Sequence, residues 1–393
     1  MRRRTQKHLV HFAIFFGILF LIIFLGRSQS NSKPFAWTTV RYRTTSASLP
    51  EPRGVCPGLT GSFKPALIVS RVAADGDPKW LDALADLYHL CVYIVDAPAD
   101  ASSTYLQVPA NRGHEAMAYL TFLIDNYDNI PESGAVFVHG SRWAWHNDHK
   151  DYDNAALLTA LNMSTALAPF GYHNLRCDWS VSTCSTKEAQ PQGSMETYFQ
   201  AVTEPWNARA VSDTALPRAL AILFGGDEYS MAKSDERLLM SRTDAVRSQC
   251  CAQFVVSRDR VLQHTREEYV ALRQWLLDGR DDIVAAEHLQ KSKAAPSDDR
   301  VSGRILSYVW HILFMPRSVS DVQSGTADGV NLERLNYMAC PSADECYCRL
   351  YGRCNLEGCT TPGRCHGQYE VPPDFKLPKD WAATHSYQNT FQP

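Results

Sequence analysis

The sequence predicts an α/β fold, a Rossmann-like and mostly parallel sheet flanked by helices. Three observations carry this. Short apolar runs at residues 66–70, 91–95 and 135–138 have the length and unbroken hydrophobicity of strands buried on both faces. Between them, residues 78–88 and the stretch after Gly113 place apolar side chains at helical spacing. Strand, helix, strand, helix, strand is the order that builds a parallel sheet through right-handed crossovers.

Ahead of that core, Arg2, Arg3, Arg4 and Lys7 precede a run, residues 9–25, that is apolar apart from His11. Such a run reads as an N-terminal transmembrane helix, an uncleaved signal anchor. A cleaved signal peptide has a shorter apolar core and a small-x-small site, which Gly26-Arg27-Ser28-Gln29-Ser30 does not supply. The basic end stays cytosolic. Residues 1–8 are then a cytosolic tail, 9–25 the single span, 26–62 a stem rich in Ser, Thr and Pro, and 63–318 a lumenal α/β domain. This arrangement predicts a single-pass type II membrane protein whose residues after Arg27 lie in the lumen or outside. The chain has 393 residues, a net charge of −3 and 21% charged residues, so no broad basic surface points to nucleic acid. A mean hydropathy of −0.28 excludes a multi-span protein.

Within the domain, Trp80, Leu81, Leu84 and Leu87 share one face of the helix at 78–88, and the second strand ends at Asp96. The turn Asn111-Arg112-Gly113 opens the central helix. Glu115 lies in its first turn, where the helix dipole favours an acid. Met117, Leu120, Ile124 and Tyr127 form its apolar stripe, and Pro131 and Gly134 stop it. Residues 153–161 read as a helix and 185–215 as a polar, Pro-broken loop over the site. Residues 250–257 read as a strand, and 266–277 and 302–314 as amphipathic helices separated by a charged, mobile segment near 292–299. Gly225-Gly226-Asp227-Glu228 reads as a turn. Asn162-Met163-Ser164 is a glycosylation sequon.

Twelve cysteines fit an oxidising compartment. Cys177 and Cys184 could close a small loop, and Cys250 and Cys251 read as disulfide partners rather than nucleophiles. Cys340, Cys346, Cys348, Cys354, Cys359 and Cys365 crowd into a C-terminal extension, residues 319–393, and read as three disulfides of undetermined pairing. A zinc cluster would want Cys-x-x-Cys knuckles, which are missing.

The loop after the strand at 135–138 is crowded with His139, Arg142, Trp143, Trp145, His146, Asn147, Asp148 and His149. Open α/β sheets place their ligand sites where such loops leave the carboxyl ends of strands. His146 and Asp148 are the candidate catalytic pair. His146 and His149 are candidate ligands for Mn²⁺ or another divalent cation, with a third ligand needed from elsewhere. Asn111, Arg112 and Gly113 could present backbone N–H groups to an anion, or form an ordinary capped helix start. Arg176 could meet a substrate phosphate or pair a core carboxylate. His311 could face the substrate or be a satisfied core histidine.

The segments NRGHEAMAYLTFLIDNYDNIP, VFVHGSRWAWHND, GYHNLRCDW, CCAQFVVSRDRV and SGRILSYVWHILF together resemble a fungal family of unknown function, domain of unknown function three-four-three-one, over about residues 64–316. The Asn-x-Gly turn, helix, apolar strand and polar loop are also similar to the middle of GT-A-type glycosyltransferases. That resemblance implies a GT-A-like sheet, a nucleotide-sugar donor and a glycan or protein acceptor. Two departures stand out. His139-Gly140-Ser141 occupies the place of the Asp-x-Asp that would hold a cation. Ser307 stands where the family pattern has an acid before Tyr308-Val309-Trp310-His311. The expected function is a membrane-anchored glycosyltransferase-like protein. In it His139, Arg142, His146 and Asp148 offset the diphosphate charge, and Trp143 or Trp145 stacks on base or sugar, with Asn147 in support. The alternatives are a non-catalytic glycan-binding protein of the same fold and a metal-dependent hydrolase.

Overall fold

The computed structural model describes residues 2–26, 34–42, 54–97, 103–225, 236–280, 293–316, 330–356 and 358–365. Helix α1 spans Arg2–Gly26, and its large apolar side chains from Leu9 to Ile22 are exposed. Among the described residues no helix is long and apolar enough to cross a membrane. Strand β1, Pro34–Phe35, follows. The sheet strands are β2 (Ala66–Arg71), β3 (His89–Ile94), β4 (Leu106–Gln107) and, after helix α2 (Glu115–Asp125), β5 (Ala135–His139). Then come α3 (Asn154–Ala160), α4 (Met163–Leu167), β6 (Tyr172–Asn174), α5 (Met195–Thr203), α6 (Ala208–Gly225), β7 (Phe254–Val256), α7 (Arg258–Val261) and α8 (Arg266–Asp278). The described residues end with α9 (Asp299–Ser307), α10 (Trp310–Phe314), β8 (Val330–Asn331), α11 (Leu332–Ala339), α12 (Ala343–Tyr351) and the hairpin β9–β10 at Cys359–Thr361 and Arg364–Cys365.

The central sheet has six strands in the order β4-β3-β2-β5-β7-β6. Strands β2, β3, β4 and β5 pair in parallel, whereas β7 runs against both β5 and β6. All of β2 is buried, as an apolar strand covered on both faces should be. Helix α2 packs on β2 and buries every residue from Ala116 to Ile124. Tyr119 meets Phe137 and Phe254 edge-on, with ring centroids 5.0 and 5.9 Å apart.

Several elements depart from the sequence reading. Residues 78–84 form a tighter 3₁₀ helix, started by Pro78 and capped by Asp77. Residues 185–215 are no loop, because they contain α5 and the first part of α6, and Pro217 is tolerated inside α6. The helix expected at 302–314 is two helices, broken at Tyr308 and Val309. Residues 293–299 are packed: Trp275 Nε1 donates to Lys293 O at 3.1 Å, and Ala295 is buried. Ser292 and most of the Gly-Gly-Asp-Glu turn lie outside the described residues.

The stem boundary is corrected too. Residues 34–42 are built into the body. Strand β1 pairs with β8, and Trp37 is fully buried, its ring 4.3 Å from that of Phe35. Val40 N–H donates to Glu268 Oε1 at 2.8 Å and Tyr42 Oη to Asp278 Oδ2 at 2.7 Å. A few aromatic anchors without periodicity hold this segment, which is why no pattern revealed it.

The cysteine reading is corrected in its pairing. Cys177 joins Cys346 and Cys184 joins Cys340, so the two do not close a loop together. Only Cys348–Cys354 and Cys359–Cys365 lie within the tail. Cys56–Cys91 and Cys250–Cys251 complete the set. The extension is therefore part of the domain: α12 places Cys346, Tyr347, Leu350 and Tyr351 in the core on one side of the sheet. Replacing both Cys177 and Cys346 by Ser should cost about 3 kcal/mol in urea unfolding, because with Cys184–Cys340 intact the bridge closes a loop of roughly 15 residues. Replacing Cys348 and Cys354, which close a shorter one, should cost about 2 kcal/mol. No loss from the first pair would mean that the tail is not stapled to the core.

Candidate functional site

From β2 the chain moves one way along the sheet to β3 and β4, and later returns to β2's other side as β5. In open α/β sheets such a reversal opens the crevice in which ligands bind, at the carboxyl ends of the strands, here those of β2 and β5. Arg71 ends β2 and His139 ends β5, side by side. Gly140 is the residue this closeness demands: a Cβ there would lie 2.6 Å from both Arg71 Cα and Asp75 Oδ2. Asp75 sits in the turn after β2, and its Oδ2 accepts the Val72 N–H at 2.8 Å. Burial raises the Asp75 carboxyl above the usual range, against the Val72 hydrogen bond and the nearby His139 and Arg71. Asp96, just past β3, accepts the Ala73 N–H with both oxygens at 3.0 Å. Arg71 donates to Gly76 O at 2.7 Å and lies 5.3 Å from the Tyr105 ring centroid.

His146 stacks on His139 with centroids 4.7 Å apart, and on the exposed Trp145 at 4.0 Å. Burial pushes the His146 imidazole well below its ordinary pKa, and His139, Arg176 and His114 add to the effect. It is neutral at physiological pH, and its Nδ1 is buried with no hydrogen-bond partner. His139 Nε2 lies 2.8 Å from Cys251 O, which requires the proton on Nε2. The Cys250–Cys251 bridge holds the turn before β7, where Cys251 and Ala252 have φ of 90° and 48°, a region costly for residues with a Cβ. Next to them Gln253 accepts the His139 N–H at 3.2 Å and donates to Asn147 Oδ1 at 3.0 Å and His146 O at 3.4 Å.

Most of the other residues named from the sequence hold the fold. Asn147 donates to Arg142 O and Tyr152 O, both at 2.9 Å. Asp148 is buried and turned to the C-terminal helix. It accepts from Cys177 N at 2.6 Å, Asp178 N at 3.2 Å and Tyr347 Oη at 2.9 Å, so it makes no catalytic pair with His146. Arg142 forms a two-pronged bond to Asp153 at 2.9 Å and lies 4.6 Å from the Trp143 ring. Arg112 is locked by Asp299 and by the carbonyls of Ser297, Pro296 and Gly279. The Gly113 N–H also goes to Asp299, at 2.9 Å. The 111–113 turn thus binds the chain's own carboxylate rather than presenting that N–H to a ligand; Asn111 is exposed. Arg176 donates to Trp145 O at 2.6 Å and so fixes the backbone that carries that ring, while its Nε is buried without a partner. His311 is buried in the core, neither ring nitrogen has a partner, and burial lowers its pKa to about 3. Asn162 is exposed and caps α4.

Ser307 donates to Arg304 O at 2.6 Å. The acid beside this helix comes from α6 instead: Tyr308 Oη donates to Asp213 Oδ1 at 2.6 Å, and Arg304 Nη2 to Tyr308 Oη at 3.1 Å. The metal expectation fares differently. Among the described residues the group of His, Cys and acids with mutually close ligand atoms is Cys56, His89 and Cys91, whose cysteines are bridged. Among the described residues His146 and His149 belong to no such group, and buried His149 Nδ1 lies 3.3 Å from Asp151 N. Sequence reasoning missed Arg71, Asp75, His114 and Gln253. The rule that strand ends carry sites, applied to β2 as well as β5, would have found the first two.

The profile of a family described as a protein of unknown function (DUF3431) matches residues 67–349. That range runs from β2 into α12 and so includes the crevice and the two cysteines that tie the tail to the core. No curated protein and no solved structure matches the chain.

Asp148→Ala should destabilise the protein by about 3 kcal/mol or more, because it strands several buried donors. His146→Ala, at the half-open crevice, should change stability by under about 1 kcal/mol; denaturant titration separates the two. Acid should act through the buried histidines. The folded pKa of His311 is about 3 and that of His173 about 4, below the unfolded value. Stability is then undisturbed above pH 6.5 and falls as the pH drops below it, each histidine costing roughly 2–3 kcal/mol by pH 4.5. His311→Phe should flatten that acid slope, and an unchanged slope would refute the assignment.

Proposed function

We propose that this chain, which belongs to the family of unknown function DUF3431, is a membrane-anchored glycosyltransferase-like protein that moves a sugar from a nucleotide donor to a glycan or protein acceptor. One observation carries the reading: Arg71, Asp75, His139 and His146 gather where the strand order reverses. The β4-β3-β2 half beside them has the order of a mononucleotide-binding unit, and Asp96 stands past its second strand, where such units hold a ribose hydroxyl. The fold alone does not fix the chemistry, so the roles rest on the side chains.

Trp145, exposed and steadied by Arg176, offers its face to base or sugar. Arg71, beside Gly140, and Arg176, on the Trp145 carbonyl, would offset the leaving diphosphate. No step is routed through a divalent ion, since His146 and His149 do not assemble a ligand set. His146, neutral and with Nδ1 uncommitted, takes the proton of the acceptor hydroxyl. The hydroxyl oxygen then bonds the anomeric carbon, and the bond to the diphosphate breaks with its electron pair on the leaving group.

The anchor belongs to the same reading. The apolar run of the sequence continues to Leu25, and α1 leaves its apolar side chains exposed, which favours a lipid surrounding over water. Six disulfides and no free cysteine among the described residues favour the Golgi or ER lumen.

Donor binding tests the proposal. Thermal shift against UDP- and GDP-sugars, with and without Mn²⁺, should find one donor that stabilises by about 2–3 kcal/mol at a hundredfold excess over its Kd. His146→Ala should then lower transfer roughly 100-fold while donor affinity stays. A folded sample that no donor shifts overturns the reading. A shift with glycans alone would favour the non-catalytic binder, for which the lost Asp-x-Asp at His139-Gly140-Ser141 speaks.

A further inference from the structure

Helix α5 is built inside out. Met195, Tyr198, Phe199, Val202 and, just past its end, Trp206 are 45, 53, 58, 60 and 70% exposed. At 100° per residue the four helical positions fall within one arc of about 100°, and Trp206 follows in the turn after the helix. The opposite side is the docked one: Thr197 is buried, and its carbonyl accepts the Thr214 hydroxyl of α6 at 3.2 Å. An amphipathic helix ordinarily buries its apolar stripe, and a contiguous stripe left outside marks a surface that something covers.

We propose that this stripe lies on the lipid bilayer, in the headgroup region of the membrane into which α1 inserts. The inference rests on the anchor reading above. Connectivity argues for it. Helix α1 ends at Gly26 and the body begins at Pro34, a link of at most about 27 Å. The body is thereby held against the membrane surface. The entering segment docks on α6, where the Arg41 and Tyr42 N–H groups donate to Leu223 O at 2.8 and 3.1 Å. Helix α5 docks on the same α6 at Thr214. Leu223 and Thr214 are nine positions apart, about 14 Å along the helix. The helix bearing the stripe therefore docks on the same helix that receives the end of the entering segment, eight residues past the point where the body begins.

Composition argues for it as well. Tyr198 and Trp206 are the residue types that settle at the headgroup level. Residues 195–206 contain Glu196 and Glu204 and no Lys or Arg. Their polar flank would be repelled by anionic lipid, so the surface it suits is zwitterionic.

The test uses the full chain in phosphatidylcholine nanodiscs whose acyl chains do or do not carry bromine, a short-range quencher of tryptophan fluorescence. Helix α1 contains no Trp, so quenching reports on the body. Bromine should quench the wild type, and Trp206→Phe should remove about half or more of that quenching, since an interfacial helix sinks its apolar side roughly 5–10 Å. Phe199→Glu with Val202→Glu, both at exposed positions, should remove it while the fold stays intact. Adding phosphatidylserine should weaken it. Full incorporation with equal quenching in wild type and Trp206→Phe overturns the proposal and leaves the anchor standing; dimers formed through the stripe would give that result. A chain that does not enter the discs overturns both.

Discussion

One side-chain amide holds the candidate site together. Strand β7 runs against β5, so the residue before β7 lies beside the end of β5. That residue is Gln253, whose amide bonds the His139 backbone, the Asn147 side chain and the His146 carbonyl. A buried amide with its donors and acceptor satisfied fixes its neighbours, and the same amide unsatisfied would be costly. The loop carrying Trp145 and His146 takes its position from this clamp. The direction of a single strand decides whether such a clamp can exist.

Around that loop the charges divide by task. Arg142 with Asp153, Arg112 with Asp299, and Asp148 with Tyr347 are buried or half-buried pairs that join distant parts of the chain. Each is committed to its partner, which leaves it little to offer a ligand. The crevice groups are different. Asp75 is held toward its protonated form, and His146 is held neutral with its Nδ1 unpartnered. Groups pushed away from their ordinary ionisation and left incompletely bonded are those that retain chemistry to perform.

The parallel strands β2, β3 and β5 and helix α2 were legible because each is a run or a period that survives in a window of a dozen residues, whereas the two-residue β4 is too short to show one. The loop after β5 was legible for the same reason, as a local word. What stayed hidden is what pairs at a distance. The sequence cannot say that Cys177 finds Cys346 rather than Cys184, or that Asp148 faces Tyr347 and turns from His146. Nor does composition reveal that Trp37 is buried in a segment otherwise rich in stem residues. Asp75 and Asp96 escaped because an acid in a turn after a strand is common, and only the reversal of strand order between β2 and β5 gives these two a shared space.

The two bridges from Cys177 and Cys184 to the tail have a consequence for how the molecule is made. The chain is synthesised from its amino end, yet Cys340 directly follows α11, and Cys346 and the phenol that bonds Asp148 lie on α12. Until α12 emerges, Asp148 lacks the Tyr347 hydroxyl, and Cys177 and Cys184 lack their partner sulfurs. Maturation of the crevice therefore awaits the end of translation, and a prematurely terminated product is delivered with that region unlatched, open to oxidoreductases and to degradation.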